Sequence, residues 1–312
     1  MPKMGGRDVR IRNRHIPAVL LAAILWGTTG TVAHQAPGGS QQLVVGMSTF
    51  GFGGILLFAL DPRAVLCTLS RRSLWPLLTA GMLGVVAYAS LYYVSMKLIG
   101  VAVGNALALG SGPVWAAIFE FFGERRTPPR GSAIASVITV IGVVLLGTAA
   151  NGGTGQHPVA GVACAIGAGC GYGLYSWAGA RLIAHGQPSR AAVAGIFLLA
   201  SGVLVPALLV IGLGPLTHPR GVLVLVYLAA LPMAGAYLLF GYGLRHMAAS
   251  TAMSLALAEP VVATLLATQV LGERLGGQAW AGLGVIGVGL VLVVVLERRT
   301  TQPGDATVPQ IV

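Results

Sequence analysis

Acidic side chains are scarce. Asp and Glu number eight in 312 residues, and all charged residues make up 9% of the chain, against about 25% in an average soluble domain. An ordinary water-facing surface is thereby excluded. Cysteine is equally sparse: Cys67, Cys164 and Cys170 have neither metal-ligand nor redox spacing, so they are read as packing residues. The six histidines lie at or near helix ends or in loops, and no metal site is expected. No GxxxxGK[ST] stretch occurs, which leaves the chain without the phosphate-cradling loop of an ATP-driven pump. HExxH is missing as well. A single midspan acid is too little for an intramembrane hydrolase, which needs a carboxylate pair, a Ser with a base or a metal motif. Neither an enzyme nor a cofactor is expected.

What the chain does have is long apolar runs. Hydrophobic residues make up 55% of it, and crossing a hydrocarbon core of roughly 30 Å takes about 20 of them in a helix. Residues 15–60 carry no Asp, Glu, Lys or Arg and are divided into two spans by APGGSQQ at 36–42. Uncharged runs follow at 73–96 and 98–119, and the 50-residue run at 131–180 is split by NGGTGQHP at 151–158. Three more lie at 191–219, 221–244 and 275–296, while the run at 246–272 is broken only by Glu259. The expectation is an all-α membrane protein of ten transmembrane helices. A closed β-barrel would need segments of about ten residues with alternating polarity; VLVLVYLAALPMAGAYLLF has no such alternation. A cleaved signal peptide fits poorly, because the first run has full spanning length and no A-x-A site follows it.

Basic residues near helix ends favour the cytoplasmic side. With both termini cytoplasmic, that side holds 16 of the 19 Lys and Arg residues and only Lys97, Arg220 and Arg274 lie outside. The net charge of +11 thus follows from topology: the expected surroundings are a lipid bilayer, a bacterial-type cytoplasmic (inner) membrane, with no nucleic acid as partner. A monomer and a homodimer are both compatible with the sequence.

Two stretches resemble each other, KLIGVAVGNALALGSGPVWAAIFEFFGERR from Lys97 to Arg126 and RHMAASTAMSLALAEPVVATLLATQVLGERL from Arg245 to Leu275. Each has a basic residue, small residues, LAL, a mid-helix proline followed by Val, and GER. Shared low complexity is the competing explanation. Read as a repeat, the chain divides into a basic N-terminus at 1–15, five-helix repeats at 16–150 and 157–297, and a C-terminal tail at 298–312. Five helices per copy make the second copy enter the membrane upside down, a recurrent construction of secondary transporters with a midplane site.

These residues carry a family resemblance. Trp26-Gly27 in the first helix, the LALGSGP and LALAEP helices, the two GER boundaries and the glycine-rich fifth and tenth helices resemble the EamA-like family of the drug/metabolite transporter superfamily. The resemblance covers residues 16 to 297 or so. It implies a transporter of small metabolites, with a central cavity lined by helices one, three, four, six, eight and nine. Export of amino acids or amphipathic compounds by alternating access is the expected function; uptake or exchange, or a channel, is the alternative. The first repeat has GSGP where the second has AEP, so an acid role at Glu259 has no counterpart in the first copy.

Glu259 is the chemical anomaly of the sequence. A charge at the bilayer centre costs about 2.5 to 3.5 kcal/mol on insertion scales, and Pro260 beside it removes a backbone N–H and clashes with the preceding turn. Acid and kink together fit a protonatable or cation-binding group in a water-accessible path; a neutral Glu hydrogen-bonded to a neighbouring helix fits as well. Pro113 and Pro232 fall near the midpoints of the fourth and eighth helices, so Pro113, Pro232 and Pro260 are expected as helix breaks at one cavity. Trp26, Tyr88, Tyr92, Asn105, Trp115, Tyr172 and Tyr175 are candidates for substrate binding, because a mid-membrane aromatic with a polar tip needs a partner. Tyr93, Tyr227 and Trp75 lie nearer helix ends and are expected as interface anchors. Glu120 is expected to pair with Arg125 or Arg126. Ser136, Thr139 and Gly142 in the fifth helix, and Ala281, Gly284 and Gly287 in the tenth, are expected to form scaffold contacts, against the repeats' other helices or across a dimer interface.

Overall fold

The computed structural model describes residues 14–33, 35, 42–125, 130–149, 158–270 and 276–300. Among them every regular element is helical and no strand occurs. Among the described residues nine segments are long and apolar enough to cross a membrane: His15–Ala33, Leu43–Leu60, Arg72–Ile99, Val103–Glu124, Pro158–Ala184, Ser189–Ile211, Pro219–Leu244, Ala249–Val270 and Gly277–Glu297. Where the sequence led us to expect a further full span, the apolar helix Ala133–Ala149 is shorter. The helix itself runs Arg130–Ala149, 20 residues, and counted as the fifth it makes Pro158–Ala184 the sixth and Gly277–Thr300 the tenth. The outer surface matches a lipid environment. Large apolar side chains stand on it fully presented, Val210 at 89% and Phe122 at 72% exposure, which water would penalise.

The first span consists of α1 (His15–Gly27) and α2 (Thr29–Ala33), and the second is α3 (Gln42–Leu60). A short α4 (Pro62–Ser70) follows, capped by Asp61, whose carboxylate accepts from the Ala64 N–H and also meets Arg190 at 2.7 Å. Then come α5 (Trp75–Ile99), α6 (Val101–Glu124), α7 (Arg130–Ala149), α8 (Pro158–Ala184) and α9 (Ser189–Ile211). The eighth span joins α10 (Pro219–Leu228) and α11 (Ala236–Leu244) through a π-helical segment at Ala229–Gly235. The ninth joins α12 (Ala249–Ala256) and α13 (Glu259–Val270), and α14 (Gly277–Thr300) is the last. The basic N-terminus before residue 14, the C-terminal tail from 301, and Arg126, Glu273 and Arg274 of the GER boundaries lie outside the described residues.

The three midspan prolines behave differently. Pro113 sits inside an unbroken α6, so the expected break is absent there. Pro232 lies in the π-helical segment, whose wider turn accommodates the missing donor. Pro260 is the second residue of α13, where a proline has no helical N–H bond to lose. The ninth span is thus interrupted at Leu257–Ala258, and Glu259 heads a new helix.

Packing follows the internal repeat. The third span packs on the sixth and the fourth on the sixth; the counterparts, eighth on first and ninth on first, also occur. The second packs on the seventh and the fifth on the tenth, pairs that the exchange of repeats maps onto themselves. The last of these corrects the expected contact residues. Thr139 and Gly142 of α7 do face α14, but they meet Gly289, Gly282 and Ile286. Ala281 and Gly284 are exposed, and a side-chain carbon added at Gly284 or Gly287 would meet nothing within 4 Å. Ser136 instead reaches α12, where its hydroxyl lies 2.7 Å from that of Ser254.

Candidate substrate and coupling site

The turn before α13 delivers Glu259 into the bundle, and α1 is shaped to receive it. A Cβ added to Gly27 would lie 2.6 Å from the Val262 side chain and 3.1 Å from the Glu259 carbonyl, so only glycine lets the two backbones approach this closely. The neighbouring Trp26 is 8% exposed, and its indole Nε1–H has no hydrogen-bond partner among the described residues. The WG pair therefore combines one residue for close approach and one unsatisfied donor. Glu259 is partly buried, and among the described residues no hydrogen bond or ion pair engages its carboxylate.

Five tyrosines stand near enough to the acid to act on it electrostatically. The hydroxyls of Tyr88, Tyr92 and Tyr93 from α5, Tyr172 from α8 and Tyr237 from α11 all lie within Coulombic range of the Glu259 carboxylate. Their rings form a continuous array: Trp26 to Tyr237 at 4.9 Å between centroids, Tyr172 to Tyr175 at 5.3 Å, Tyr172 to Tyr88 at 5.4 Å, Tyr88 to Tyr92 at 5.0 Å and Tyr92 to Tyr93 at 5.1 Å. Tyr175 stands one layer back, its hydroxyl 2.7 Å from that of Tyr237. Asn105 accepts a 2.6 Å hydrogen bond from the Tyr92 hydroxyl and so orients that ring.

Of the candidates from sequence, Glu259, Trp26, Tyr88, Tyr92, Asn105, Tyr172 and Tyr175 are brought together. Trp115 is not: it stacks on Phe119 at 6.2 Å and packs over Gly173 in the seam between α6 and α8. Pro260 adjoins the site, and next to Pro113 lies Gly112, which packs on Tyr172 and Met253. Tyr93 and Tyr237 were missed. Position near a helix end made Tyr93 an expected lipid anchor, yet its ring fills the space over Gly46 of α3. Tyr237 follows Pro232 by five residues, a signal available in the sequence. Tyr227 also faces inward, with its hydroxyl 2.9 Å from that of Thr28. Trp75 is 41% exposed at the start of α5.

The EamA-like transporter family model matches the chain twice, over residues 14–148 and 159–295. The chain belongs to the EamA-like transporter family. Similar proteins include an uncharacterized transporter, YwfM of Bacillus subtilis (strain 168), 32% identical over 282 residues that cover 90% of this chain and 94% of that one. An uncharacterized inner membrane transporter, YedA of Escherichia coli (strain K12), is 28% identical over 88% of this chain and 89% of its own. A protein crystal structure with 22% identity matches 93% of this chain and all of that one with a TM-score of 0.74, which speaks for the fold alone. The protein is a multi-pass membrane transporter with the two-repeat architecture of this family.

A second feature of this EamA-like transporter lies at the end of the bundle that carries Arg181, Arg190 and Arg245. A cavity of about 840 Å³ opens there, lined among others by Glu120, Glu124, Gln187, Arg245 and His246. Glu120 is 7% exposed, and its carboxylate accepts from both the backbone N–H of Ser250, at 3.0 Å, and the Ser250 hydroxyl, at 2.6 Å. The sequence pointed to Arg125 or Arg126 as its partner; Arg126 lies outside the described residues, and among those described Glu120 caps α12 from the neighbouring repeat instead of meeting Arg125. Glu124 meets Arg181 at 3.9 Å. Removing a cap and stranding a buried donor costs about 1–3 kcal/mol. Glu120→Ala is expected to lower the detergent melting temperature by several degrees, and an unchanged transition would show that the contact contributes nothing.

Proposed function

We propose that this protein exports small metabolites, amino acids or amphipathic compounds, across a bacterial-type cytoplasmic membrane by alternating access, and that Glu259 couples the movement to protons. The observation that carries the reading is the uncompensated carboxylate of Glu259 at a helix break, within electrostatic range of tyrosines from both repeats. Such an acid exchanges partners, because whatever cation meets it, a proton or a substrate, relieves the same penalty. The interrupted ninth span fits the discontinuous helices of secondary transporters, and a helix N-terminus at Glu259 favours the anion. The protein works as a monomer or homodimer of ten spans in inverted repeats, with both termini cytoplasmic. The excess of basic residues on one side supports that topology. The cavity at Glu120 and Arg245 is then the cytoplasmic mouth.

Two measurements test this reading. In proteoliposomes given a panel of metabolites, export by proton antiport accumulates substrate on the acidic side of an imposed pH gradient and not without the gradient, relative to protein-free liposomes. Accumulation on the alkaline side would favour uptake, and flux that only dissipates its own gradient would favour a channel. For topology, single cysteines replacing Arg125 and Gly276 in a cysteine-free background are expected to label from the cytoplasm and from outside, respectively. Labelling of both from one side would overturn the inverted repeat.

A further inference from the structure

We propose that the short helix α4 and the turn after it bind an anionic phospholipid, with Arg63, Arg71 and Arg72 on its phosphate and Leu60, Leu66 and Trp75 on its acyl chains. The proposal is independent of cargo and direction and requires only that the chain lies in a bilayer. α4 joins the second and third spans, and its nine residues are too few to cross a membrane. One face holds it to the bundle. Val65 and Thr68 are buried, the Thr68 hydroxyl donates to the Gln187 side chain at 3.0 Å, and α4 packs on α9. Arg63, Leu66, Cys67 and Ser70 are exposed, and steps of three, four and seven residues put them on one stripe. The outward stripe thus mixes a cation with an apolar side chain.

Charge points to an anion. Arg63, Arg71 and Arg72 are all exposed, and none has an ion-pair partner among the described residues. The one acid close by in sequence, Asp61, is already engaged: Arg190 meets it at 2.7 Å, and the Ala64 N–H donates to it. No other Asp or Glu follows before Glu120. Basic groups at a membrane surface attract anionic lipid, and the guanidinium fork matches a phosphate. A zwitterionic headgroup would bring its own cation to a place that already has three, so a net negative headgroup fits better.

The apolar neighbours point to a lipid in preference to a soluble anion. Leu60, Leu66 and Trp75 are all exposed. The Trp75 indole donates to the Leu69 carbonyl at 3.0 Å, which clips the ring to the last turn of α4, where Arg71 and Arg72 follow. A soluble phosphate would leave these three side chains in water. Acyl chains cover them while the headgroup meets the arginines.

Equilibrium binding to the purified full-length protein in non-ionic detergent tests the proposal, with dioleoylphosphatidylglycerol, dioleoylphosphatidylcholine and inorganic phosphate as probes. Phosphatidylglycerol is expected to bind at least about ten-fold more tightly than either of the others. Arg63→Gln, Arg71→Gln and Arg72→Gln should each weaken it about five-fold, and the triple variant should bring the two lipids within about two-fold of each other. Arg125→Gln, Arg298→Gln and Arg299→Gln together remove the same charge elsewhere and should leave the tightest lipid affinity within about two-fold of the parent. Equal affinity for the two lipids, or phosphate bound as tightly as phosphatidylglycerol, would overturn the proposal. So would an unchanged preference in the α4 triple variant, or an equal loss in the distant one, which would reduce the effect to overall charge.

Discussion

Glu259→Gln is expected to reduce pH-gradient-driven flux to the level of protein-free liposomes while leaving the protein folded. The amide keeps the size and hydrogen-bonding capacity of the acid but cannot carry or release a proton, so it isolates the charge from the packing. Stability should change little, within about 0.5 kcal/mol, because no hydrogen bond or ion pair of the carboxylate is lost among the described residues. The measurement is substrate accumulation with and without an imposed gradient, alongside the melting temperature in detergent. Flux at the parent level in Glu259→Gln would remove Glu259 from the coupling mechanism. A large drop in melting temperature would instead make the residue structural, the reading that the sequence alone had left open.

The largest effect on stability should come from Gly282, far from the acid. A Cβ at this position would lie 2.7 Å from the backbone nitrogen of Leu146 and 3.0 Å from the Gly142 carbonyl. Both are backbone atoms, which cannot swing aside as a side chain can. The same holds in reverse at Gly142, where a Cβ would lie 2.6 Å from the Ile286 nitrogen. Gly282→Leu must therefore push α7 and α14 apart, and in a bilayer their close packing is the attraction that lipid does not already supply. Overpacking of this kind costs about 1–3 kcal/mol or more. Gly284→Leu, two residues away, faces open space and should melt within about a degree of the parent. Equal melting of the Gly282→Leu and parent proteins would show that α7 and α14 separate at no cost. A strong loss in Gly284→Leu would instead reveal a contact on its exposed face.

The chain by itself determined the membrane class, the approximate limits of the apolar spans and the existence of a repeat. Each follows from quantities read along the sequence: the distance between charges against the thickness of hydrocarbon, and the recurrence of LAL, proline and GER. It also singled out Glu259, because an acid in the middle of an apolar run is costly wherever the run ends up. The tertiary structure decided phase and partners. In α14 nearly every position is small or apolar, so nothing in the pattern distinguishes the face of Gly282 and Ile286 from that of Ala281 and Gly284. Tyr93 and Tyr237 join Glu259, while Trp115 turns into a seam with Gly173, because helices far apart in sequence are brought side by side. Glu120 passes over Arg125, close by in sequence, for Ser250, 130 residues away, since the N-terminus of α12 offers it two donors at once. A helix fixes which side chains share a stripe, but only packing against another helix decides which stripe turns inward.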